Sequence, residues 1–284
     1  MKIGSTTLPL AGWVVNPGQP EESRERRLQA IRSLVEKYNL GVVELTLDFS
    51  IIYPDVFNDV FYADVADLQE ELAFTCTIHL PFLWMDCASM NDRIRQASIN
   101  CVRQAVKMVE PIQVLTYVLH LWGVTSTQVS SLIEDQFQRS VVLSALQLQA
   151  ERSLGAMCEF VEPSKICVEN LEAPRFDFAS PLVEKYGTSI CLDVGHLAYQ
   201  DQDGRAFLKQ HKDRIREVHL HDAGQKEIKG RVRTIDHLAL GQGNIDYKTF
   251  LNELTDIGFE GAVILENNTQ VDLEQSLSCL QGYL

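Results

Sequence analysis

The feature that most constrains this chain is a regular alternation of short apolar runs with longer amphipathic stretches, sustained along the whole sequence. The apolar runs are rich in Val, Ile, Leu and Thr and predict strands. They lie at Lys2–Leu8, Val42–Leu47, Phe74–His79, Val114–His120, Lys165–Asn170, Ser189–Asp193, Ile215–His221 and Gly261–Glu266. The amphipathic stretches predict helices at Glu21–Tyr38, Val56–Leu72, Asp92–Val109, Gln128–Phe160, Pro181–Tyr186, Arg205–His211, Tyr247–Ile257 and Leu273–Leu280.

This alternation predicts an α/β fold with parallel strands joined by right-handed crossovers. Eight such units in 284 residues favour a (β/α)8 TIM barrel, one domain covering residues 1–284. A doubly wound open sheet would use similar units, but no G-x-G-x-x-G motif follows the first strand, which weakens the dinucleotide-binding version of that fold. The fourth helical stretch, Gln128–Phe160, is long enough for two helices.

Composition excludes several classes of protein. Asp and Glu number 39 against 25 Lys and Arg, and a net charge of −14 argues against a nucleic-acid partner. The basic segment Lys226–Arg233 is interrupted by uncharged residues and Glu227, and is interpreted as a polar loop. No run approaches the ~20 apolar residues of a membrane span. Seven dispersed cysteines without a C-x-x-C pair favour a reduced, cytoplasmic location.

Polar residues gather where the predicted strands end. Six of the seven histidines lie at or after strand ends, and only His211 lies in a predicted helix. In a TIM barrel these ends meet around one axis, at the face that carries the chemistry. The residues concerned are His79, His120, Glu169, Asn170, Asp193, His196, His219, His221, Asp222, Asp236, His237, Glu266 and Asn267.

Each of these residues alone has an ordinary structural explanation. A histidine can be a hydrogen-bonded core residue, and Asp193 or Asp222 can cap the helix that follows. Packed together, however, carboxylates and imidazoles need a compensating cation. Imidazole and carboxylate ligands suit Zn²⁺ or Mn²⁺, and no cysteine stands at these strand ends to form a thiolate site. The sequence therefore predicts a divalent metal site.

The number of ligands bears on the reaction. Glu169, Asp193, His219 and Glu266 suffice for one ion, whereas adding His79, His120, His196 and His237 provides for two or three. A multinuclear site favours phosphoester hydrolysis. A one-ion site favours a sugar isomerase or epimerase, with Glu169 and Glu266 as base and acid. A metal or corrinoid binder without catalytic activity is the third hypothesis.

These motifs resemble the xylose isomerase-like, or endonuclease IV-like, barrel superfamily from the third strand to the eighth. The resemblance implies a trinuclear cluster held by His79, His120, Glu169, Asp193, His196, His219, His237 and Glu266. One departure concerns the third metal. Asp236 stands beside His237 while Ile235 occupies the family's aspartate position, so that His221 and Asp222 are candidates to compensate. The single-metal isomerases of the superfamily share only Glu169, Asp193, His219 and Glu266.

A narrower resemblance is to the cobamide-remodelling phosphodiesterases of this superfamily. It rests on the segments 77–81, 117–121, 166–172, 191–196 and 236–238. It implies hydrolysis of the phosphodiester in the nucleotide loop of a cobamide. In the phosphodiesterase hypothesis Glu169 bridges two metals, Glu266 anchors one, and Asn170, Asn267 and Asp222 orient the ligands. An abasic-site DNA nuclease would use the same chemistry, but the net charge of −14 disfavours DNA. The expected partners are thus a cobamide or sugar-like small molecule, with no nucleic acid and no membrane.

Overall fold

The computed structural model of this protein describes residues 1–12, 15–228 and 231–283, and over these residues a closed parallel barrel forms the centre of the fold. The barrel strands are β1 (Lys2–Thr6), β2 (Val42–Thr46), β3 (Thr75–His79), β4 (Val114–Leu119), β5 (Ile166–Glu169), β6 (Ser189–Asp193), β7 (Ile215–Leu220) and β10 (Ala262–Leu265). They follow the order β1-β10-β7-β6-β5-β4-β3-β2, and β1 pairs with both β2 and β10 to close the barrel. The predicted (β/α)8 TIM barrel, a single domain, is confirmed.

Helices connect the strands, as the amphipathic pattern predicts. The stretch Gln128–Phe160 does hold two helices, because Asp135 accepts a hydrogen bond from the Gln138 N–H and begins a new one there. The helices are α1 (Leu8–Ala11), α2 (Pro20–Glu36), α3 (Asp48–Ile52), α4 (Asp59–Leu72), α5 (Asp92–Met108), α6 (Val124–Ser131), α7 (Gln136–Met157), α8 (Ser180–Tyr186), α9 (Val194–Tyr199), α10 (Gly204–His211), α11 (Tyr247–Asp256) and α12 (Gln270–Cys279).

An antiparallel hairpin replaces the polar loop that the sequence predicts at Lys226–Arg233. Its strands are β8 (Asp222–Ile228) and β9 (Arg231–Leu238), with Lys226 paired to Arg233, and Lys229 and Gly230 lie outside the described residues. The loop prediction was wrong because it relied on the charged residues of the segment. The β-branched Val232 and Thr234 among and after them favour a strand. The hairpin begins directly after the carboxyl end of β7 and therefore borders that end of the barrel.

The interior of the barrel is partly polar. Side chains two positions apart share a face of a strand, so the buried Glu44, Thr77, Thr116 and Glu217 point inward together and form what we call the lower layer. By the same alternation, His79 follows Thr77 and His219 follows Glu217 in the layer above. All seven cysteines are unpaired. None of the described helices has the length and apolar character to cross a membrane, and the cytoplasmic location stays a prediction.

Candidate metal centre

The predicted site residues come together at the carboxyl end of the barrel. His79, Glu169 and Asp193 are the last residues of β3, β5 and β6, while His120 and Glu266 directly follow β4 and β10. His219 lies one residue before the end of β7 and pairs in register with Asp193. The parallel register therefore brings together side chains that are far apart in the sequence. His79 and Glu266, for example, are 187 positions apart.

Glu169 lies at the centre of this arrangement, with its two oxygens turned toward different histidines. Oε2 lies 2.8 Å from His120 Nε2 and 3.5 Å from His79 Nε2. Oε1 lies 3.4 Å from His219 Nδ1. Oε2 is buried and has no aligned hydrogen-bond donor despite the short distance to His120. Possible metal-ligand atoms that lie close together without hydrogen-bonding to one another are what a shared cation requires.

The hydrogen bonds of the rings decide which nitrogen faces the site. His79 Nδ1 lies 3.0 Å from the Leu80 carbonyl, and His196 Nδ1 lies 3.0 Å from the Asn170 carbonyl. A carbonyl only accepts, so both Nδ1 atoms carry the proton and donate it. Nε2 is then the free ligand atom of each ring. In His196 this atom lies 3.6 Å from Glu172 Oε1, which sequence reasoning did not select.

His219 brings together the other carboxylates. Its Nδ1 lies 3.4 Å from both Glu169 Oε1 and Glu266 Oε1, and 3.9 Å from Asp193 Oδ2. The ring is fully buried, and neither nitrogen has a hydrogen-bond partner. A buried nitrogen that faces three carboxylates without hydrogen-bonding to any of them fits a metal ligand.

His221 has another role. Its Nδ1 accepts a 2.9 Å hydrogen bond from the His237 backbone N–H, so Nε2 carries the proton, and Nε2 lies 3.1 Å from Asp193 Oδ2. Both nitrogens therefore have hydrogen-bond partners, and the ring orients Asp193. Possible ligand atoms of His221, His237 and Glu266 also lie within 4.8 Å of one another. Gly195 makes room for the ring, because a Cβ there would lie 1.9 Å from His221 Cε1.

Asp222 organises the backbone beside the site. Its carboxylate accepts hydrogen bonds from the N–H groups of Ala223, Gly241 and Ile245, which holds the loop after the hairpin against β7. Asp222 is fully buried, and these contacts account for both of its oxygens. Asp222 therefore fixes the loop after the hairpin through its backbone N–H groups.

Asn170 and Asn267 brace neighbouring segments. The Asn170 side chain donates to the Asp193 carbonyl and accepts from the Asp193 N–H, so it fixes the backbone of a predicted ligand. Asn267 Nδ2 donates to the Leu238 carbonyl and ties the end of the hairpin to the residue after Glu266. These contacts fit the orienting role that the phosphodiesterase hypothesis assigns to the two residues.

Asp236 and His237 approach the site from the hairpin. His237 Nδ1 lies 3.2 Å from Asp236 Oδ1, and its Nε2 lies 3.5 Å from Glu266 Oε2. The backbone φ of His237 is 54°, an unusual value for a non-glycine residue and one that recurs at functional sites. Donor atoms of Glu172, His196 and Asp236 lie within 4.8 Å of one another.

Charge coupling within the centre is strong. Burial lowers the pKa of His79, but Glu169 and nearby carboxylates outweigh burial and raise it to about 9. Burial likewise lowers the pKa of His237, and Asp236 and Glu266 raise it to about 10. Burial would raise the pKa of Glu169, yet His120 and His219 hold it well below its usual range. Protonated histidines thus supply the positive charge that cations would otherwise bring.

Possible ligand atoms lie within 4.8 Å of one another in five overlapping sets, among them His221, His237 and Glu266, and Glu169, Asp193 and His196. We describe the centre by three groups. The first is His79, His120 and Glu169. The second is Glu169, Asp193 and Glu266 around His219 Nδ1. The third group is Glu172, His196 and Asp236. Imidazole nitrogens and carboxylate oxygens, with buried atoms lacking partners, are the donor set of Zn²⁺ and Mn²⁺ sites. Glu169 belongs to two of these groups and would link them.

A cavity of about 350 Å³ opens above these groups. Leu8, Phe82 and Leu83 are among its lining residues, and the Phe82 ring lies 4.8 Å from His79 and 4.6 Å from His120 between ring centroids. Its size is that of a small-molecule site.

Comparison with known proteins assigns the family. The sequence model described as Xylose isomerase-like TIM barrel matches residues 13–283. The chain belongs to this family. It is 25% identical over 226 residues to protein MJ1311 of Methanocaldococcus jannaschii, covering 77% of this chain and 73% of that one.

Solved structures share the fold over the full length of this chain. A D-tagatose 3-epimerase-like protein superposes with a TM-score of 0.74 at 20% identity, covering 100% of this chain and 97% of the other. An AP endonuclease, family 2, from Brucella melitensis superposes with a TM-score of 0.68 at 16% identity, covering 99% and 97%. At these identities the likeness establishes the fold alone.

Two residues of the centre were missed by sequence reasoning. Glu172 follows β5 by three positions, and Glu44 lies inside β2, where its Oε2 is 3.4 Å from His219 Nε2. Glu44 had a signal: it is a charged residue within the apolar strand Val42–Thr46. Glu172 had none beyond its closeness to Glu169, because loop geometry decides where its side chain lies.

Proposed function

We propose that this protein is a divalent-metal-dependent phosphodiesterase acting on a small or medium-sized substrate. The observation that carries the proposal is the division of the Glu169 carboxylate between two groups of donors. One oxygen faces His79 and His120, and the other faces His219. A carboxylate held this way links two cation sites, the arrangement suited to phosphoester hydrolysis.

The proposal assigns each residue of the centre to a cation site or to a supporting role. His79, His120 and Glu169 would hold one cation, and Glu169, Asp193, His219 and Glu266 would hold another. When bound, these cations supply Lewis acidity and neutralise the charge that develops on the phosphoryl oxygens. His221 and Asn170 orient Asp193, while Phe82 and Leu83 line the cavity with apolar side chains.

The third group is proposed to replace the ligand that Ile235 cannot supply. His196 offers Nε2 because its Nδ1 donates to Asn170, and Glu172 Oε1 lies 3.6 Å from that nitrogen. Asp236 completes the group. His237 lies between this group and Glu266, and the proposal keeps it as a ligand at the border of the second and third groups.

The proposed substrate is a cobamide, hydrolysed in its nucleotide loop. This choice is supported by the resemblance of the segments 77–81, 117–121, 166–172, 191–196 and 236–238 to the cobamide-remodelling phosphodiesterases. The cavity volume of about 350 Å³ suits the phosphodiester portion of such a molecule, with the remainder outside. The net charge of −14 disfavours DNA relative to a small substrate.

A second candidate is a single-metal sugar isomerase or epimerase. It is favoured by the full-length similarity to a D-tagatose 3-epimerase-like protein, and by Glu169 and Glu266 both lying 3.4 Å from His219 Nδ1. Such an enzyme would use these two carboxylates as acid and base. It leaves His79 and His120 without a role in cation binding.

Metal counting on the purified protein, paired with activity assays, tests the proposal. We expect two or more divalent ions per chain and hydrolysis of adenosylcobalamin at its nucleotide-loop phosphodiester. An abasic DNA duplex and D-tagatose serve as the competing substrates. One tightly held ion with turnover of the sugar would replace the phosphodiesterase proposal with the isomerase.

The His120→Ala variant separates the two functions further. We expect it to lose one equivalent of metal and most of its phosphodiesterase activity, because His120 belongs to the first group alone. His211→Ala is the matched control, since His211 packs against Phe176 and Phe207 away from the centre. Full activity and unchanged metal content in His120→Ala would contradict the proposal.

A further inference from the structure

Trp84 is an exposed aromatic residue that the proposed metal centre does not use. It lies in the loop between β3 and α5 and is 78% exposed. Its backbone φ is 59°, in the left-handed region, where a bulky residue other than glycine is strained. An exposed ring gains little hydrophobic stabilisation, and the strained backbone lowers stability further. Strain of this kind recurs at functional sites, where the surrounding structure maintains it.

The position of Trp84 in the chain connects it to the cavity above the metal centre. Phe82 and Leu83, the two residues before it, both line that cavity. The Phe82 ring lies 4.6 Å from the His120 ring between centroids, and His79 ends β3 three residues before Phe82. Trp84 is therefore the first residue beyond the cavity lining in the loop that follows His79.

Two buried carboxylates hold the loop on either side of Trp84. Before it in the chain, the Leu83 N–H donates a 2.8 Å hydrogen bond to Asp48. After it, the Asp86 carboxylate accepts hydrogen bonds from the backbone N–H and the hydroxyl of Ser126. These contacts maintain the left-handed backbone of Trp84. The backbone that carries the ring is therefore held in place before any ligand binds, which lowers the entropy cost of binding.

Val124 is a second exposed apolar residue on a segment that packs against this loop. Gly123 makes the close approach possible, because a Cβ there would lie 2.2 Å from the Met85 carbonyl oxygen. The Gly123 N–H also donates to Asp86 Oδ1. Val124, the next residue, begins α6 and is 66% exposed. Trp84 precedes Met85 directly, so the two exposed apolar side chains belong to backbone segments that are in contact.

We propose that Trp84 forms a subsite for a planar aromatic group of the substrate, beside the phosphodiester that the metal centre would bind. This inference rests on the proposed function and adds the class of group that the substrate carries outside the cavity. A cavity of about 350 Å³ is at the lower end of ligand-pocket sizes, so part of a medium-sized substrate must lie on residues around its opening. The flat face of a tryptophan ring is suited to stacking on an aromatic ring.

Exposure alone does not indicate a ligand site, and Phe137 illustrates the difference. Phe137 is 76% exposed, but it lies in the first turn of α7 with a helical backbone and does not line the cavity. Trp84 combines the same exposure with a left-handed backbone and with a neighbour, Leu83, that lines the cavity. Phe137 is therefore the matched control, an aromatic residue of similar exposure without the other two features.

The test compares two phosphodiesters of the same charge, the aromatic diphenyl phosphate and the aliphatic diethyl phosphate. Each is titrated calorimetrically into the Zn²⁺-loaded protein and its variants, with circular dichroism to confirm folding. In Trp84→Ala we expect the affinity for diphenyl phosphate to fall about 10-fold, because the stacking contact is lost, and the affinity for diethyl phosphate to stay unchanged. Trp84→Phe keeps a ring and should recover most of the loss. Phe137→Ala should bind both diesters as the unmodified protein does.

Hydrolysis of adenosylcobalamin, which carries an aromatic base near its nucleotide-loop phosphodiester, gives a second readout. The stacking contact is the same before and during cleavage, so Trp84→Ala should raise KM about 10-fold and leave kcat unchanged.

Three results would overturn the subsite. They are an unchanged affinity of Trp84→Ala for diphenyl phosphate, equal losses for both diesters, and no binding of diphenyl phosphate to the unmodified protein. The titrations do not involve hydrolysis. Binding of diphenyl phosphate that depends on Trp84, without cleavage of any phosphodiester, would therefore contradict the proposed function alone.

Discussion

The two ends of the barrel both carry cavities, and they differ in kind. The cavity at the amino ends of the strands measures about 860 Å³ and is lined by mixed charges, among them Lys212 and Glu162, which are exposed. The cavity at the carboxyl ends measures only about 350 Å³, yet it contacts four histidines and several carboxylates. Size therefore does not identify the functional end.

The difference lies in what solvent does to the charges. At the amino end, water screens the side chains, and their interactions contribute little. At the carboxyl end, Glu169, Asp193 and His219 are almost fully buried, so their charges must be compensated inside the protein. Substitutions at the two ends should therefore have effects of very different size.

The largest effect is expected from Glu169→Gln. The amide replaces one of the two oxygens that face the first and second groups with a nitrogen that cannot bind a cation, so both sites weaken together. We expect kcat/KM of the proposed phosphodiesterase activity to fall on the order of 10³-fold, with a loss of bound metal. Glu162→Gln makes the same chemical change at the amino end and should leave both quantities unchanged. Full metal content in Glu169→Gln would contradict the proposal that Glu169 links the first and second groups.

A smaller effect is expected from Asn170→Ala. The change removes two hydrogen bonds to the Asp193 backbone but leaves every ligand in place. Metal affinity should fall about 10-fold or somewhat more, as for other losses of ligand support. Chelator competition checks this. A modest loss would show that Asn170 supports the backbone of Asp193 without binding the cation itself. A loss as large as that of Glu169→Gln would contradict this distinction between the two residues.

The pH dependence of stability should distinguish the metal-free from the loaded protein. The folded-state pKa values of His79 and His237, about 9 and about 10, exceed the value of about 6.5 expected in the unfolded chain. Their contribution to stability is therefore complete below pH 6.5 and is lost as pH rises toward 10. Glu217, with a pKa that burial raises to about 8, acts in the same direction between pH 4.5 and 8.

We therefore expect the free energy of unfolding of the metal-free protein to fall by a few kcal/mol between pH 6.5 and 10. Urea denaturation at several pH values measures it. In the loaded protein the cations replace the histidine protons, so the decline should be much shallower. If the free energy of unfolding of the metal-free protein rises over this interval, the carboxylates do not raise the pKa values of His79 and His237.

The smallest effect is expected from Lys212→Ala in the larger cavity. Lys212 is exposed, so its removal should change the free energy of unfolding by less than about 0.5 kcal/mol and leave kcat/KM unchanged. Thermal unfolding and the phosphodiesterase assay check this. A clear loss of activity would mean that the amino end also takes part in function.

Much of this architecture could be predicted from the sequence. Periodicity alone located the barrel strands within a few residues, because a strand buried on both faces needs a short apolar run. His79, His120 and Glu169 could be selected because strand ends of a barrel converge. The hairpin Asp222–Leu238 could not, because its charged residues resemble a loop and the pairing of β8 with β9 depends on the partner strand.

The sequence by itself determined the order of strands and helices and the set of donors at the strand ends, since both follow from local patterns along the chain. Only the tertiary structure decided what each donor does. His219 and His221 are two positions apart, yet one faces three carboxylates and the other uses both nitrogens in hydrogen bonds. Glu44 and Glu172 join the centre only when the barrel closes. The roles of these side chains depend on distances and hydrogen-bond directions between segments remote in the chain, which no local pattern encodes.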